Sequence, residues 1–468
     1  MIPAAGATSD TSAQSQAVWR SALVISTAVA ALAGFLFGYD NIVVSGAIGY
    51  LAAYYHLSSI ATGWAAACAL LGCLAGSAVS GSLADRFGLK KALYGCAACF
   101  ALSSLGVWAA ASFGQYIGFR ILGGIGIGAA SIVAPMYIAE ISPAAVRGRL
   151  VILYQLGIVL GILAAVSVNT LIQNAGTAAW NTQTGWRWMF AVAGAPAILF
   201  ALAITFSHES PRWLMKVHRV AEAQTVLTLI NSPQRAREEG EAIRKALSEE
   251  KGSWRELFSP AVRPALIVGF ILAAFSQTSG ITALLSFLPE IFKNAGQRAN
   301  DAFFQSILVG IVNLLFTLLA IVLVDRAGRK TLLLAGTAMQ TIGLAFAGAF
   351  YFKGRGGLVI LPGVMLFVAG HAVGNGAVCW VVISEIFPNK IRGAAMSVAI
   401  TAIWIFAYLA SQFFPLMQDG FGASGTFLFF ACMAALNFLY VWTAVPETKG
   451  YSLEEIGRIW SGSRGHKK

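Results

Sequence analysis

The chain has 468 residues, of which 57% are hydrophobic and only 11% are charged, and its formal net charge is +12. A soluble globular domain is about 25% charged, so this chain cannot cover its surface with polar groups, and we expect lipid to be its solvent. The basic excess fits membrane topology and attraction to anionic lipid better than nucleic acid, because the pattern contains no soluble basic domain.

Twelve apolar runs are each long enough to cross a membrane as an α-helix, which takes roughly 20 apolar residues. Membrane β-strands would be about 9–11 residues long with strict alternation, so the runs predict helices and an all-α membrane protein. In chain order the predicted spans are 21–48, 60–84, 91–112, 115–138, 149–173, 184–206, 263–288, 303–324, 331–352, 359–384, 393–417 and 422–445.

The spans form two sets of six, separated by the longest polar stretch. Residues 1–17 are small and polar and are predicted to be a disordered terminus, not a signal peptide, because no cleavage motif follows. Two six-helix bundles are expected, with a helical linker between them and a tail after them. These segments are 18–206 for the first bundle, 207–262 for the linker, 263–446 for the second bundle and 447–468 for the tail.

Lysine and arginine are concentrated in alternate loops, so the positive-inside rule predicts that both termini, the linker and the tail are cytoplasmic. We expect a multi-pass protein of a cell membrane, of the bacterial inner-membrane kind, acting as a monomer among membrane lipids. All six cysteines fall inside predicted spans, so disulfides are not expected. The Cys96-Ala-Ala-Cys99 spacing has no His or Cys cluster beside it and indicates helix packing, so neither a metal nor a cofactor is predicted.

The chain repeats itself in its two halves. LADRFGLKKAL (83–93) is echoed by LVDRAGRKTLL (323–333), and IAEISPAAVRG (138–148) by ISEIFPNKIRG (383–393). Each copy follows the second or the fourth span of its half, so the repeats are parallel and related by an axis along the membrane normal. The pattern predicts two pseudo-symmetric six-helix bundles.

Charged residues recur at matched cytoplasmic positions in the two halves. Opposite charges there can pair across the interface when the halves meet on the inside, and inward opening would break them. The alternative is ordinary topology and headgroup contact. The candidate gate residues are Asp85, Arg86, Glu140, Arg147, Glu209, Asp325, Arg326, Glu385, Arg392 and Glu447.

Five linked motifs resemble the sugar porter family of the major facilitator superfamily, over residues 20–457. The resemblance implies two bundles that rock around a central site by alternating access, with a monosaccharide as substrate and proton symport as the driving reaction. The motifs are the doubled D-R-x-G loop, PMYIAEISPAAVRGRL, HESPRWL, ISEIFPNKIRG and VPETKGYSLEEI.

Asp40 is the only charged residue between Arg20 and Asp85. A charge at the centre of a membrane helix costs roughly 2.5–3.5 kcal/mol. Helix directions and spacing place Asp40 and Arg120 at a similar depth, about 8–12 Å below the outer surface, so we expect them to pair. The resemblance implies that this acid and this arginine couple transport to protons. A static ion pair is the alternative.

The resemblance also implies the sugar site. Amides bind hydroxyls and aromatic faces bind the C–H surface of a sugar, whereas interhelical hydrogen bonds and packing are the alternatives. Phe37 lies one turn from Asp40, and Ser276 and Thr282 offer short hydroxyls. The positions that match family sugar contacts are Gln155, Gln277, Asn313, Trp380 and Trp404.

The second half departs from the family pattern. The seventh span has Ser276 and Thr282 where the family commonly has amides, and the eleventh has Ile403 and Ala407. A smaller or differently hydroxylated sugar, a polyol, or weak affinity would each fit. His371 stands alone in the tenth span and fits a hydrogen-bonded structural residue better than a second proton site.

Other functions remain open at this stage. A passive facilitator for a sugar or polyol, an antiporter for another small molecule and a sugar sensor that moves nothing all share these features. An enzyme is not predicted, because the sequence contains no nucleophile–base constellation, metal cluster or phosphate loop in a suitable context.

Overall fold

The structure is a computed structural model that describes residues 7–142, 144–249, 259–260, 262–354, 356–387 and 392–449. Side chains are described from residue 24 onward, except at 144–151, 233, 246, 249 and 392. Within these ranges eleven helices are long and apolar enough to cross a membrane. The last contains two spans, because Gly422 has non-helical backbone angles inside it. The all-α fold with twelve spans is therefore confirmed.

The first half contains six spans, the first and sixth of which are broken. The sixth span comprises three short helices, and a π-helical turn separates the first of them from the second. The elements are α1 (Ala7–Ile42), α2 (Val44–Tyr55), α3 (Ser59–Phe87), α4 (Leu89–Ala109), α5 (Phe113–Ile141), α6 (Ala144–Ala175), α7 (Ala178–Trp180), the π-helical turn Asn181–Gly185, α8 (Trp186–Ala191) and α9 (Gly194–Phe206).

Three helices follow in the predicted linker: α10 (Pro211–Lys216), α11 (Val220–Ile230) and α12 (Pro233–Glu249). They share a small apolar cluster of their own, which includes Leu214, Leu227 and Ala236. Residues 250–258 and 261 of the linker lie outside the described residues, as do residues 450–468 of the predicted tail.

The second half repeats the arrangement, with breaks in its seventh and tenth spans. Gly280, at φ 81°, separates the two parts of the seventh span. The elements are α13 (Arg263–Thr278), α14 (Ile281–Ser286), α15 (Leu288–Asn294), α16 (Ala299–Ala327), α17 (Arg329–Phe352), the 3₁₀ turn Gly357–Ile360, α18 (Leu361–His371), the π-helical turn Ala372–Gly376, α19 (Val378–Glu385) and α20 (Arg392–Ala444).

The first span differs from the sequence prediction at both ends. Helical backbone begins at Ala7, inside the segment 1–17 that was expected to be disordered, while residues 1–6 lie outside the described part. After a break at Val43 the span continues to Tyr55 rather than ending at 48. The break is stabilised by Asn169, whose Nδ2 donates a hydrogen bond to the Val43 carbonyl at 3.1 Å.

Glycines allow the first and fifth spans to pack with their backbones in contact. A Cβ added to Gly38 would overlap the carbonyl of Ile158, and one added to Gly161 would overlap the carbonyl of Phe35. Small residues at such crossings are the usual basis of helix association in lipid. These contacts fix the face of α1 that carries Asp40.

The two ends of the helix bundle can be told apart by the charged motifs, which lie at one end. The motif side is the end where α3, α5, α16 and α19 finish, and it carries Asp85, Glu140, Asp325 and Glu385. The other end is called the opposite side. One apolar cluster near the opposite side contains buried residues of both halves, such as Leu51 and Phe414, so the halves meet there.

Candidate functional site

Asp40 and Arg120 form a buried ion pair in the first half, as the sequence predicts. Arg120 Nη1 lies 3.0 Å from both carboxylate oxygens of Asp40, and its Nη2 donates to the Asp40 carbonyl at 3.1 Å. The two residues are only 3% and 1% exposed. The guanidinium carbon also lies 5.1 Å from the centre of the Phe190 ring. The charge of each residue is therefore compensated by the other inside the bundle.

Apolar and aromatic groups surround this pair. Tyr39 donates to the Met189 carbonyl at 3.2 Å and Tyr116 to the Ala65 carbonyl at 3.0 Å, so neither hydroxyl is used by the carboxylate. Gly123 allows Ser103 to lie close to the pair, since an added Cβ would overlap Ser103 Oγ and lie 3.4 Å from Asp40 Oδ2.

The depth predicted for Asp40 was too shallow. The rings of Tyr55 and Phe113, at the ends of their spans, lie 5.7 Å apart and mark one level. Arg120 is seven residues from Phe113, or about 10 Å, whereas Asp40 is fifteen residues from Tyr55, or about 22 Å along the helix. The long arginine side chain bridges the difference, so the pair forms deeper in the bundle than expected.

Three of the predicted substrate residues meet at the break in the seventh span. Thr282 donates to Gln277 Oε1 at 2.8 Å, and Gln277 Nε2 lies 3.4 Å from Ser276 Oγ. Gln277 and Thr282 remain partly exposed. Since Gly280 interrupts the helix between them, the amide and hydroxyl are presented side by side rather than on successive turns.

Aromatic residues from both halves meet in the centre. The rings of Phe37 and Trp404 lie 6.1 Å apart, and both pack in one cluster with the partly exposed Trp380. Trp404 Nε1 is buried and has no hydrogen-bond partner among the described residues. The structure therefore brings these three predicted sugar contacts together and leaves an indole donor unused.

Gln155 and Asn313 lie on α6 and α16, which pack against each other across the two halves. Gly310 of α16 contacts Leu163 of α6, one turn from Asn313. Neither amide makes a side-chain hydrogen bond in the described part of the chain. Unpaired amides in lipid-embedded helices are costly, so these two indicate a cavity that holds water or a ligand.

The charged motifs of the first half pair with the linker that follows it, not with the second half. Asp85 accepts from Lys216 at 2.9 Å, and Glu140 lies 3.9 Å from Arg212 and accepts from the Ser210 hydroxyl. Glu209 accepts from the backbone N–H of Lys90 at 3.1 Å, at the start of α4. An acid at a helix N-terminus is stabilised by the helix dipole.

The second half repeats the contact at a helix start but pairs its other acids with one arginine. Arg329 binds Glu385 at 3.1 Å and Asp325 at 3.3 Å. Glu447 accepts from the backbone N–H groups of Arg329 and Lys330 at 3.0 and 3.1 Å, at the start of α17. The expected pairing across the halves is therefore not the arrangement among the described residues. The predicted gate set did not include Lys216, Arg212 or Arg329, although Arg212 lies in the HESPRWL motif and Arg329 in the doubled D-R-x-G loop.

The remaining gate residues have different environments. Arg86 lies over the ring of Phe87 at 5.3 Å, and the carbonyl of Arg326 accepts from Lys449 Nζ at 2.7 Å. The side chains of Arg147 and Arg392 lie outside the described residues.

Contacts between the halves are concentrated on the opposite side. Ser59 donates to Asp419, Gln412 Nε2 donates to the Ile60 carbonyl at 3.0 Å, and Gln173 Nε2 donates to Asn300 at 2.9 Å. A cavity of about 290 Å³ lies in this seam, with Gly49 and Glu290 among its lining residues. The halves are therefore closed on the opposite side.

Two matched six-helix halves, a buried ion pair and a central set of amides and aromatic rings define a membrane transporter. The family described as "Sugar (and other) transporter" matches residues 26–460. The chain belongs to this family, within the major facilitator superfamily, and it is a transporter, not an enzyme.

Characterised relatives cover nearly the whole chain. The arabinose-proton symporter of Bacillus subtilis is 40% identical, over 94% of this chain and 95% of its own length. The D-xylose-proton symporter of Escherichia coli K12 is 37% identical, over 93% and 95%. The partially occluded, inward-open structure of the xylose transporter XylE from E. coli superposes with a TM-score of 0.83 at 35% identity, over 92% of this chain and 100% of that chain.

Proposed function

We propose that this protein imports a monosaccharide together with protons by alternating access. The buried pair of Asp40 and Arg120 carries the proposal, because a carboxylate whose one charged partner among the described residues is an arginine can exchange that partner for a proton. The names of the two relatives, symporters for arabinose and for xylose, support both the driving ion and the substrate class.

The ion pair supplies the coupling step. In the state described here the negative charge of Asp40 is compensated by Arg120, so the acid needs no proton. When the halves rearrange and the arginine withdraws, the buried carboxylate is stabilised by taking a proton, because an unpaired charge at this depth is costly. A protonated Asp40 favours the loaded state that is open outward. Release of the proton inside restores the pair.

The central residues form the sugar site in this proposal. Amides, hydroxyls and aromatic rings from both halves are the combination that sugars require. The site comprises Phe37, Gln155, Ser276, Gln277, Thr282, Asn313, Trp380 and Trp404.

The charged motifs form the gate on the motif side, which we assign to the cytoplasm together with both termini. With the opposite side closed, Arg329 and Glu385 pair within their own half. When the motif sides of the halves approach each other, the charged motif residues of one half can pair with those of the other half. The protein acts as a monomer among the lipids of the cell membrane, and its partners are the sugar and the proton rather than nucleic acid.

The test is sugar uptake by purified protein in proteoliposomes, with and without an imposed pH gradient. D-xylose, L-arabinose, D-glucose and polyols of matched size form the substrate panel. We expect accumulation of one pentose or hexose only with an inward proton gradient, accompanied by alkalinisation of the medium. Equal uptake without the gradient would establish a facilitator instead. Binding without any uptake would establish a sensor.

A further inference from the structure

The coupling step of the proposed function leaves Arg120 without its acid. A guanidinium keeps its charge at every pH at which a transporter works, and Arg120 is only 1% exposed, so bulk water does not reach it in the described state. Removing one partner of a buried ion pair is strongly destabilising unless another group compensates the charge that remains. The arginine therefore needs a second position inside the bundle, with an acceptor of its own.

Tyr116 offers such an acceptor. It lies four residues before Arg120 in α5, on the same face of the helix and one turn away, and it is fully buried. The two side chains are already close enough to interact electrostatically. Because the Tyr116 hydroxyl donates its proton to the Ala65 carbonyl at 3.0 Å, its oxygen can meet the guanidinium as an acceptor.

Phe190 lies beside both positions of the arginine. The guanidinium carbon of Arg120 lies 5.1 Å from the centre of the Phe190 ring, within the range of a cation–π interaction. The rings of Phe190 and Tyr116 lie 5.9 Å apart at an interplanar angle of 71°. An arginine that moves from Asp40 to Tyr116 can therefore stay against the face of Phe190.

The geometry of α5 gives the direction of this move. Tyr116 is nearer than Arg120 to the start of the helix by four residues, or about 6 Å, whereas Asp40 lies deeper than Arg120. Side chains in an α-helix tilt toward the helix N-terminus, so a released arginine is directed back toward Tyr116. Asp40 and Tyr116 thus lie on two sides of Arg120 along the bundle.

We propose that Tyr116 is a positioning residue for proton coupling, whose hydroxyl oxygen accepts a hydrogen bond from Arg120 when Asp40 is protonated. In this exchange a proton binds a carboxylate oxygen of Asp40, the hydrogen bonds from Nη1 to that carboxylate break, and a hydrogen bond to Tyr116 Oη forms. Phe190 contacts the guanidinium in both positions. This inference rests on the proposed function and deepens it.

A residue that stabilises the withdrawn arginine favours protonation of Asp40, so it lowers the proton concentration that transport requires. Thiols and phenols ordinarily titrate above pH 8, so they do not compete with Asp40 on the acid side. α4 and α8 contribute Ser103 and Phe190, which do not titrate. The other titratable groups that face the pair in the described part of the chain are Tyr39 on α1, Cys68 and Cys73 on α3, and Tyr116 on α5.

The first test measures initial rates of sugar uptake in proteoliposomes against external pH, for wild type and Tyr116→Phe. The proton concentration for half-maximal uptake should rise about tenfold in Tyr116→Phe, the effect of losing one hydrogen bond to a charged group. Tyr39→Phe is the matched control, because Tyr39 is also buried next to Asp40 and also donates to a backbone carbonyl, that of Met189. It should leave the half-maximal proton concentration unchanged.

The second test needs no transport and uses thermal melting in detergent. Asp40→Asn imitates the protonated acid, so its Arg120 should depend on Tyr116. Tyr116→Phe should therefore lower the melting temperature more in the Asp40→Asn protein than in wild type. Tyr39→Phe should lower it by the same amount in both.

Two results would overturn the inference. One is a Tyr116→Phe variant that transports with the wild-type half-maximal proton concentration, or with a shift that Tyr39→Phe shares. The other is an equal loss of melting temperature from Tyr116→Phe in the two backgrounds, which would make Tyr116 a packing residue. Gradient-driven accumulation in Asp40→Asn would instead refute the proposed coupling, whereas the melting comparison still decides whether Tyr116 is the second partner of Arg120.

Discussion

At the residue scale, polar side chains inside the bundle fall into two groups. Asp40 and Arg120 pair with each other and Gln305 Nε2 donates to Gln297 at 3.1 Å, although Arg120 Nε and Gln305 Oε1 are buried without a partner in the described part of the chain. Gln155 and Asn313 have no such partner in the described residues. In lipid an unsatisfied amide is expensive, and evolution toward a stable bundle would remove it unless a ligand or water used it.

Gln277→Ala tests this distinction at a substrate position. The amide is partly exposed and, within the described ranges, bonds with Thr282 and Ser276. We expect KM for the preferred sugar to rise about tenfold with little change in melting temperature, because the lost hydrogen bonds are mainly those to the ligand.

Gln305→Ala is the matched control, since its amide is buried and has a structural partner. It should lower the melting temperature and leave KM unchanged. If Gln277→Ala also lowers only the melting temperature, Gln277 is a structural residue.

At the element scale, the parallel repeat places a glutamate at the N-terminus of a helix in each half. Glu209 accepts from the start of α4, and Glu447 accepts from the start of α17. The preceding glycines, Gly88 and Gly328, have φ values of 97° and 90°, which turn the chain sharply before each helix. The acid that ends each half thus holds the loop between its second and third spans.

Glu447→Ala should destabilise the protein by about 1 kcal/mol, the usual cost of losing a cap at a helix N-terminus. Thermal melting in detergent measures the effect. Glu222→Ala removes an exposed acid from an i,i+3 surface pair with Arg219 and should change the melting temperature little. Equal effects of the two substitutions would contradict a capping role.

The sequence predicted the spans well and their interruptions poorly. Long apolar runs identify helices because lipid requires every backbone group to be bonded internally. The break at Val43 depends on a contact with another helix, that of Asn169, and carries no local signal, whereas Gly374 and Gly376 are a local signal for bending at the π-helical turn Ala372–Gly376. The extension of the first span to Tyr55 was missed for the same reason.

At the scale of the whole molecule, closure on the opposite side rests on tight contacts between the halves. Gly63 of α3 lies against the backbone of Gln412, whose amide bonds to Ile60 in the same seam. Any side chain at position 63 would overlap the Gln412 carbonyl. The state described here therefore requires glycine at this position.

Gly63→Val should keep the opposite side open. A cysteine introduced at Gln418, which lines the cavity in the seam, should then react several times faster with a membrane-impermeant maleimide than in wild type. Gly81→Val is the control on the same helix, because an added Cβ there meets nothing within 4 Å. Unchanged labelling in Gly63→Val would show that the seam is not the closing contact.

In the candidate site, the sequence predicted a pairing correctly where a buried charge had a single possible partner of opposite sign. Asp40 and Arg120 are both costly at mid-membrane, so their pairing followed from the sequence. The motif-side charges were not predictable in this way, because many lysines and arginines lie near them and the partner depends on the conformation. The packing of Phe37 against Trp404 was also beyond reach, since it joins the two halves.

The most direct test of proton-coupled transport is Asp40→Asn in proteoliposomes, with Asp301→Asn, an exposed acid at the start of α16, as control. Asparagine keeps the shape but cannot exchange a proton. Accumulation driven by a pH gradient should be lost, while sugar counterflow persists at near wild-type rates. The control should retain both. Gradient-driven accumulation that survives in Asp40→Asn would contradict the coupling role of Asp40.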